Sequence, residues 1–211
     1  MSMYDTPSDQ ELWGRIVKHD GVAFGQLFDR HSQAVYNHCF RRTASWSSAE
    51  ELTSIVWAEV WRRRKDVRLQ SDSILPWLLA VANNCLRNLQ RSQRRHRNLL
   101  TKLPPATVAD FTDAAVGRFD DERTMVVVLA ALSDLSVEDQ DVIALCDWAE
   151  LSYAEAATAL NIPIGTVRSR LSRAHDRLRN RLVVLPSDTH ALSATHFQTT
   201  PTEKENPNDQ L

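Results

Sequence analysis

Glycine is scarce in this chain of 211 residues, which has only five, at positions 14, 21, 25, 117 and 165. A loop that wraps a nucleotide phosphate needs several glycines close together, because the backbone must approach the phosphate oxygens without a Cβ in the way. No stretch of this sequence has them. A P-loop and a dinucleotide-binding turn are therefore excluded, and nucleotide-driven chemistry is not expected.

Clusters of metal-binding or nucleophilic side chains are also missing from the sequence. Cys39, Cys85 and Cys146 stand far apart with no CxxC pair, and none of the seven histidines has metal-ligand spacing. Free cysteine is among the most often buried residues, so we expect each thiol to serve as a small hydrophobic group. The sequence predicts no metal, no cofactor, no catalytic residue and no enzymatic activity.

Long apolar runs are absent as well. The chain has 43% hydrophobic and 25% charged residues, and no run approaches the roughly 18 residues that span a bilayer. The amino-terminal segment MSMYDTPSDQELW has neither the basic start nor the apolar stretch of an export signal. We therefore expect a cytoplasmic protein without membrane insertion.

Charge is strongly segregated along the chain, although the formal net charge is only −2. Basic residues outnumber acids twelve to five over 41–98 and six to one over 163–182, whereas acids outnumber basic residues five to two over 103–124. The end of the chain is too poor in apolar residues to offset the entropy of ordering it. The predicted organisation is a domain at 9–98, a flexible acidic linker at 99–124, a domain at 125–183 and a mostly disordered tail at 184–211.

Apolar residues recur at helical spacing and nowhere alternate as in half-buried strands, so the predicted fold is all-α, with two small helical domains. In the first domain, Ser48 and Glu51 have the spacing of a capping box. Trp57 and Trp61 lie one turn apart on the helix that follows, and either core packing or a partner surface would explain them. The residues predicted to face the core are Phe24, Leu27, Phe28, Val35, Cys39 and Phe40 on one helix and Leu52, Ile55, Val56 and Val60 on the next.

A later helix of the first domain, opened by Pro76, is predicted to carry a polar, cationic face. At 100° per residue this face lies about 120° from an apolar stripe that includes Leu78, Val81, Cys85 and Leu89. No carboxylate interrupts it between positions 83 and 97. A solvated charged face is one interpretation, and nucleic-acid binding explains the missing carboxylates better. The face consists of Asn84, Asn88, Arg91 and Arg95, with Arg87 and Arg94 at its margin.

The segment SYAEAATALNIPIGTVRSRLSRAHDRLRNRL, from 152 to 182, has the proportions of a helix-turn-helix. Ser152 and Glu155 predict a capping box at the start of a short helix, and Asn161 and Pro163 predict a break before a longer, basic helix. In such a unit the second helix enters the major groove with its amino end first, where arginine can donate to guanine O6 and N7. A helical hairpin with a solvated arginine face is the alternative. The side chains placed to reach bases and phosphates are Thr166, Arg168, Ser169, Ser172 and Arg173.

These segments resemble the extracytoplasmic-function (ECF) sigma factors of the sigma-70-like family. LSDLSVEDQDVIALCDWAELSYAEAATALNIPIGTVRSRLSRAHDRLR looks like their promoter-binding carboxyl domain. FGQLFDRHSQAVYNHCFRR, AEELTSIVWAEVWRR and LPWLLAVANNCLRNLQRSQRR look like their first conserved domain, in the same order. The resemblance covers about residues 20–98 and 128–182.

The resemblance implies a set of partners: the clamp of the largest subunit and the flap of core RNA polymerase, promoter DNA and an anti-sigma factor. It places minus-thirty-five contacts at Arg168, Ser169, Ser172 and Arg173. It also assigns the loop Arg68–Ile74 to the capture of a flipped base. The minus-ten residues it implies are Asn84, Arg87, Asn88, Arg91, Arg94 and Arg95. The polymerase-binding residues it implies are Glu51, Leu52, Val56, Trp57, Val60 and Trp61.

Two other functions stay open at this point. A stand-alone helix-turn-helix regulator would need a dimer surface and a matching half-site spacing. A nucleic-acid enzyme would need clustered acidic metal ligands.

Overall fold

A computed structural model describes residues 6–69, 72–100 and 116–184, with the side chains of 93, 94, 96–100, 116–118 and 182–184 excepted. The rest of the predicted linker and the predicted tail beyond Val184 lie outside the described residues. Within the described ranges all regular secondary structure is helical, as predicted. The helices are α1 (Asp9–Val17), α2 (Gly21–Thr43), α3 (Trp46–Arg63), α4 (Leu75–Leu100), α5 (Val116–Leu132), α6 (Val137–Ile143), α7 (Tyr153–Leu160) and α8 (Ile164–Val184), and a π-helical turn, Ala144–Trp148, continues α6.

The first four helices enclose one apolar core. α4 packs against both α2 and α3, and its buried side includes Leu86, whereas Cys85 and Leu89, which the sequence assigns to that side, are only half-buried. Phe28 and Ile55 were also predicted to face the core, but they are 39% and 40% exposed. Helical periodicity therefore finds the buried side of each helix and misplaces its edges.

Asp9, the first residue of α1, is a buried acid that links three segments of the first domain. Its buried carboxylate accepts hydrogen bonds from the Arg30 guanidinium at 2.6 Å, from His31 Nε2 at 2.8 Å and from the Ile74 N–H at 2.9 Å. Burial alone would raise the pKa of Asp9, but these bonds and the charge of His31 hold it below its ordinary value. One side chain thus ties α1 to α2 and to the start of α4.

The start of α3 differs from the predicted one. Ser45, not Ser48, caps the helix, because its hydroxyl accepts the Ser48 N–H at 3.3 Å. Ala44 ends α2 in the left-handed conformation, with φ of 50°, which turns the chain so that Ser45 directly precedes α3. The predicted capping box of Ser48 and Glu51 is therefore wrong, since Ser48 already lies in the first turn.

Most of the α3 side chains predicted to bind polymerase form part of the core. Leu52, Val56, Trp57 and Val60 are at most 4% exposed. The Trp57 ring packs edge-on to Phe24, with ring centres 5.7 Å apart. In this structure these side chains hold α3 in place and do not form its exposed surface. Of the six predicted residues, Glu51 is exposed and Trp61 is half-buried.

The second domain is built from α5 to α8 around Val142, Leu145, Ala156, Val167 and Leu171, all buried. α5 begins at Val116, so residues 116–124, which we predicted to be linker, are helical. The acids of that stretch, Asp120, Asp121 and Glu122, lie in the second turn of α5.

The two domains are in contact with each other in this structure. α4 lies against α7, and α2 lies against the π-helical turn. None of the described helices is long and apolar enough to cross a membrane.

Trp57 and Trp61 should differ sharply in their effect on stability. We expect Trp57→Ala to lower the free energy of unfolding by about 3–5 kcal/mol, because it empties a closed part of the core. Trp61→Ala should cost clearly less, because its ring is partly in water. Urea unfolding followed by circular dichroism measures both variants, and equal losses would contradict the burial of Trp57.

His38 should make the first domain sensitive to acid. It is 4% exposed, its Nε2 pairs with Asn83 Oδ1 at 2.9 Å, and burial lowers its pKa to about 4. The unfolded chain, with an ordinary pKa of 6.5, takes up a proton that the folded chain refuses, so stability present above pH 6.5 is lost as the pH falls toward 4. The loss from this group by pH 5 is about 2 kcal/mol.

Urea unfolding at pH 7 and pH 5 tests this linkage. His38→Gln should reduce the difference in unfolding free energy between the two pH values by about that amount. An undiminished pH dependence in His38→Gln would contradict the assignment.

Candidate nucleic-acid interface

The helix-turn-helix forms where the sequence predicts it. The Ser152 hydroxyl accepts the Glu155 N–H at 3.3 Å, and the Glu155 carboxylate accepts the Ser152 N–H at 2.8 Å, so this predicted capping box is confirmed. α7 ends at Asn161, which takes the left-handed conformation with φ of 53°, a conformation that asparagine tolerates. Pro163 then precedes α8. Asn161 and Pro163 therefore form the short turn that separates the two helices.

One side of α8 is buried and the other carries the predicted DNA contacts. Val167, Leu171 and Ala174 are at most 5% exposed. Thr166 is half-buried, and the Ser169 hydroxyl donates to its carbonyl oxygen at 3.1 Å. The predicted residues that are exposed on the outer side are Arg168, Ser169, Ser172 and Arg173.

Five of the six arginines of α8 fall into two groups, and the sixth, Arg170, is half-buried. Toward the carboxyl end, Arg177 pairs with Asp139 at 3.5 Å, Arg179 pairs with Asp176 at 3.0 Å, and Arg181 pairs with Asp134. Toward the amino end, Arg168 and Arg173 have no ion pair with any of the residues that the structure describes.

The Arg168 side chain also lies near an aromatic ring. The centre of its guanidinium lies 6.0 Å from the ring centre of Tyr153, the first residue of α7. This is the outer limit of a cation–π contact. The uncompensated positive charge of α8 is thus concentrated at the end that a helix-turn-helix inserts into DNA.

α4 presents most of its predicted polar face to solvent. Asn84, Asn88, Arg91 and Arg95 are exposed, and the Arg94 side chain lies outside the described ones. Beside them, a groove of about 560 Å³ runs between α3 and α4. Its walls combine the amides of α4 with apolar and charged side chains of α3, namely Ile55, Glu59, Arg62 and Arg63.

Arg87 differs from the other members of the predicted minus-ten set. It is half-buried, and its guanidinium pairs with Asp141 of the second domain at 3.2 Å. The sequence identified Arg87 but gave no sign of this carboxylate, which is 54 residues away. In this structure Arg87 is not free to meet DNA.

The loop Arg68–Ile74, assigned to base capture by resemblance, is only partly described. Arg68 is exposed, whereas Ile74 is fully buried and donates its N–H to Asp9. Gln70 and Ser71 lie outside the described residues. Ile74 therefore anchors the loop to the core, and the base-capture role remains a prediction.

Comparison with known proteins gives matches over both domains. Residues 27–96 match the family model described as Sigma-70 region 2, and residues 125–178 match the one described as Sigma-70, region 4. The ECF RNA polymerase sigma factor SigK of Mycobacterium tuberculosis (strain ATCC 25618 / H37Rv) is 30% identical over 180 residues, which cover 82% of this chain and 92% of SigK. The ECF RNA polymerase sigma factor SigE of Mycolicibacterium smegmatis is 29% identical over 192 residues, which cover 87% of this chain and 72% of SigE.

Solved structures share the fold. CnrH in complex with the cytosolic domain of CnrY aligns with a TM-score of 0.63 at 20% identity, covering 84% of this chain and 98% of CnrH. RpoE from Bartonella quintana, in complex with the anti-sigma factor NepR, aligns with a TM-score of 0.57 at 24% identity, covering 77% of this chain and 98% of RpoE. A stand-alone helix-turn-helix regulator would not match both sigma regions in order. Because both regions match and SigK is similar along nearly its whole length, this chain belongs to the ECF sigma factors, the sigma-70-like proteins that bind RNA polymerase and give it promoter specificity.

Proposed function

We propose that the two cationic faces of this sigma factor divide promoter recognition between them. The amino-terminal end of α8 contacts duplex DNA at the minus-thirty-five element, and the exposed side of α4 contacts the minus-ten element and helps to hold it open. The observation that carries this proposal is that Arg168 and Arg173, at the end of α8 that would enter the groove, make no ion pair with the part of the chain that the structure describes.

The α8 contacts suit duplex DNA. Arginine can donate two parallel hydrogen bonds to guanine or bind a phosphate, and serine can donate to either. Ser169 and Ser172 lie between the two arginines on the exposed side of the helix. Recognition of the minus-thirty-five sequence then depends on these two arginines and two serines. The buried side of α8 fixes the direction in which they point.

The α4 face suits an opened strand. Asn84 and Asn88 offer amides that donate and accept hydrogen bonds, which unpaired bases can use, while Arg91 and Arg95 supply charge for the backbone. The groove beside α3 adds an apolar wall at Ile55 against which a base can rest. Binding the separated strand more tightly than the duplex favours melting.

Polymerase docking is assigned to α3. Its exposed surface includes Glu51 and part of Trp61, and its buried residues fix the direction of the helix. We place this surface against the clamp of the largest polymerase subunit, and the second domain against the flap. The protein then acts where the polymerase acts, inside the cell, as a recognition factor without chemistry of its own.

Neither DNA face should bind strongly alone. Affinity for duplex DNA comes largely from counterions released by neutralised phosphates, and a chain of net charge −2 with two small cationic faces releases few. On the polymerase both faces reach one promoter at a high effective concentration, so weak contacts combine.

An anti-sigma factor is the proposed inhibitory partner. CnrH and RpoE were both solved with a second protein bound, an anti-sigma factor in the case of RpoE. Co-purification of the chain with a cellular protein that blocks its transcription activity tests this part of the proposal.

Run-off transcription with reconstituted polymerase tests the main proposal. Adding this chain to core polymerase should produce transcripts with defined start sites that core polymerase alone does not produce. Initiation at the same places without the chain would contradict it.

Arg168→Ala and Arg173→Ala should each weaken binding of the polymerase complex to a promoter by about 1–3 kcal/mol if the residue reads a base, and should lower the salt slope by about one if it holds a phosphate. Arg179→Ala is the matched control, because Arg179 is exposed on the same helix but paired with Asp176. Promoter titrations at several salt concentrations measure these effects, and an arginine whose loss changes neither quantity lies outside the interface.

A further inference from the structure

The first residue of α8 is an isoleucine that the fold leaves largely in water. Ile164 is 47% exposed, whereas Ile162, two residues earlier, is half-buried and packs against the core. The backbone here is fixed, because the Pro163 carbonyl oxygen accepts the N–H groups of Thr166 at 2.9 Å and Val167 at 3.2 Å. Isoleucine also has one strongly preferred χ1 rotamer in a helix. An apolar group of restricted direction therefore stands at the start of the helix and contributes little to the core.

The next residue, Gly165, is a glycine that folding does not require. Its φ is not positive, so a residue with a side chain can adopt the same backbone conformation. Beyond its own turn of helix, no heavy atom of the described residues lies within 4 Å of a Cβ built on it. Glycine is also a poor helix former. What it does provide is room for a second molecule to approach the backbone closely.

Both residues lie at the end of α8 that leads into the major groove. Ile164 is four residues before Arg168, so the two side chains lie one turn apart on the same face. Because the side chains of a helix tilt toward its amino terminus, Ile164 projects ahead of the first turn. Arg168 and Arg173 make no ion pair with the described residues and attract phosphates to this end. Duplex DNA is therefore the partner that this apolar tip fits.

The major groove offers one apolar group that suits an isoleucine. Its base edges present hydrogen-bond donors and acceptors, except at the C5-methyl group of thymine. An isoleucine placed against a donor or acceptor would remove its water without replacing the hydrogen bond. Against the methyl group it removes apolar surface from water on both sides of the contact. Thr166 also carries a methyl group, but it is half-buried, which favours Ile164 for this contact.

We propose that Ile164 is a specificity-determining residue that packs against the C5-methyl group of a thymine in the minus-thirty-five element. Gly165 lets the helix approach the base edges closely enough for this contact. The proposal rests on the minus-thirty-five role proposed for α8. It adds an apolar contact to the polar contacts of the arginines and serines on the same helix.

Deoxyuridine, which lacks the C5-methyl group of thymidine, tests the contact. The promoter mapped by run-off transcription is prepared as duplexes in which each thymine of the minus-thirty-five element, on either strand, is replaced in turn. The wild-type chain bound to core polymerase should lose about fourfold in affinity at one of these positions, as the burial of one methyl group predicts. Ile164→Ala should bind the unmodified promoter more weakly and lose nothing further at that position.

Val137→Ala is the matched control for Ile164→Ala. Val137 is also a β-branched first residue of a helix in the second domain, and it is 42% exposed. It belongs to α6, outside the helix-turn-helix. The variant should keep the full loss of affinity at the replaced thymine.

Gly165→Ala separates close approach to DNA from folding. Since alanine favours a helix, the urea midpoint of the free chain should stay the same or rise. Binding of the polymerase complex to the promoter should weaken by about tenfold, because the added methyl group overpacks the contact with DNA. Gly14→Ala is the control, since Gly14 is a helical glycine of α1 with equally open surroundings. It should leave promoter binding unchanged.

Each remaining outcome counts against a stated part of the proposal. The methyl contact is overturned if the wild-type complex loses no affinity at any replaced thymine, if Ile164→Ala keeps the loss, or if the element contains no A·T pair. A Gly165→Ala variant with wild-type affinity overturns the close approach. Should Arg168→Ala and Arg173→Ala weaken binding in the same titrations, the minus-thirty-five role of α8 stands even where the methyl contact fails. If neither arginine matters, the proposed function itself is wrong.

Discussion

The packing of α4 onto α2 and α3 is the constraint on which the recognition surface depends. Leu78, Ala82 and Leu86 are buried in that contact and fix the rotation of the helix about its own axis. A shift of one residue would turn the helix by 100° and carry Asn84 and Asn88 away from the groove. The exposed amides and arginines are thus positioned by residues on the buried side of the helix. The buried side of α8 fixes its serines and arginines in the same way.

Two buried carboxylates show how differently such groups can join segments. Asp9 receives three hydrogen bonds from the residues around it, and its pKa falls, so the joint it makes within the first domain is favourable in its charged form. Asp141 is shared by two cations, one of them with unpartnered nitrogens, and its pKa rises. A carboxylate that accepts several hydrogen bonds, as Asp9 does, suits a stable contact within a domain. A carboxylate shared by two cations, one of them incompletely hydrogen-bonded, gives a less favourable contact between domains.

The sequence predicts local features of this structure well because their causes are local. The capping box at Ser152, the break at Asn161 and the outward direction of Arg168 all depend on residues within one or two turns. The errors have long-range causes. Ile55 is exposed because α4 covers only part of α3, and Arg87 is half-buried because Asp141 approaches it from another domain, contacts that helical periodicity does not contain.

The structure also shows that some of the basic residues in the segregated charge pattern are paired within the chain. Basic segments on either side of an acidic one suggest two surfaces that are free to bind DNA, yet one arginine of α2 and one of α4 are paired with Asp141 of the second domain. Glu122, in the acidic stretch, caps the start of α3, and Asp141 faces Arg87. One acid of the second domain thus pairs with two cations of the first. A low net charge and the pairing of some basic residues within the chain act in the same direction, because both reduce the positive charge that the free protein offers to DNA.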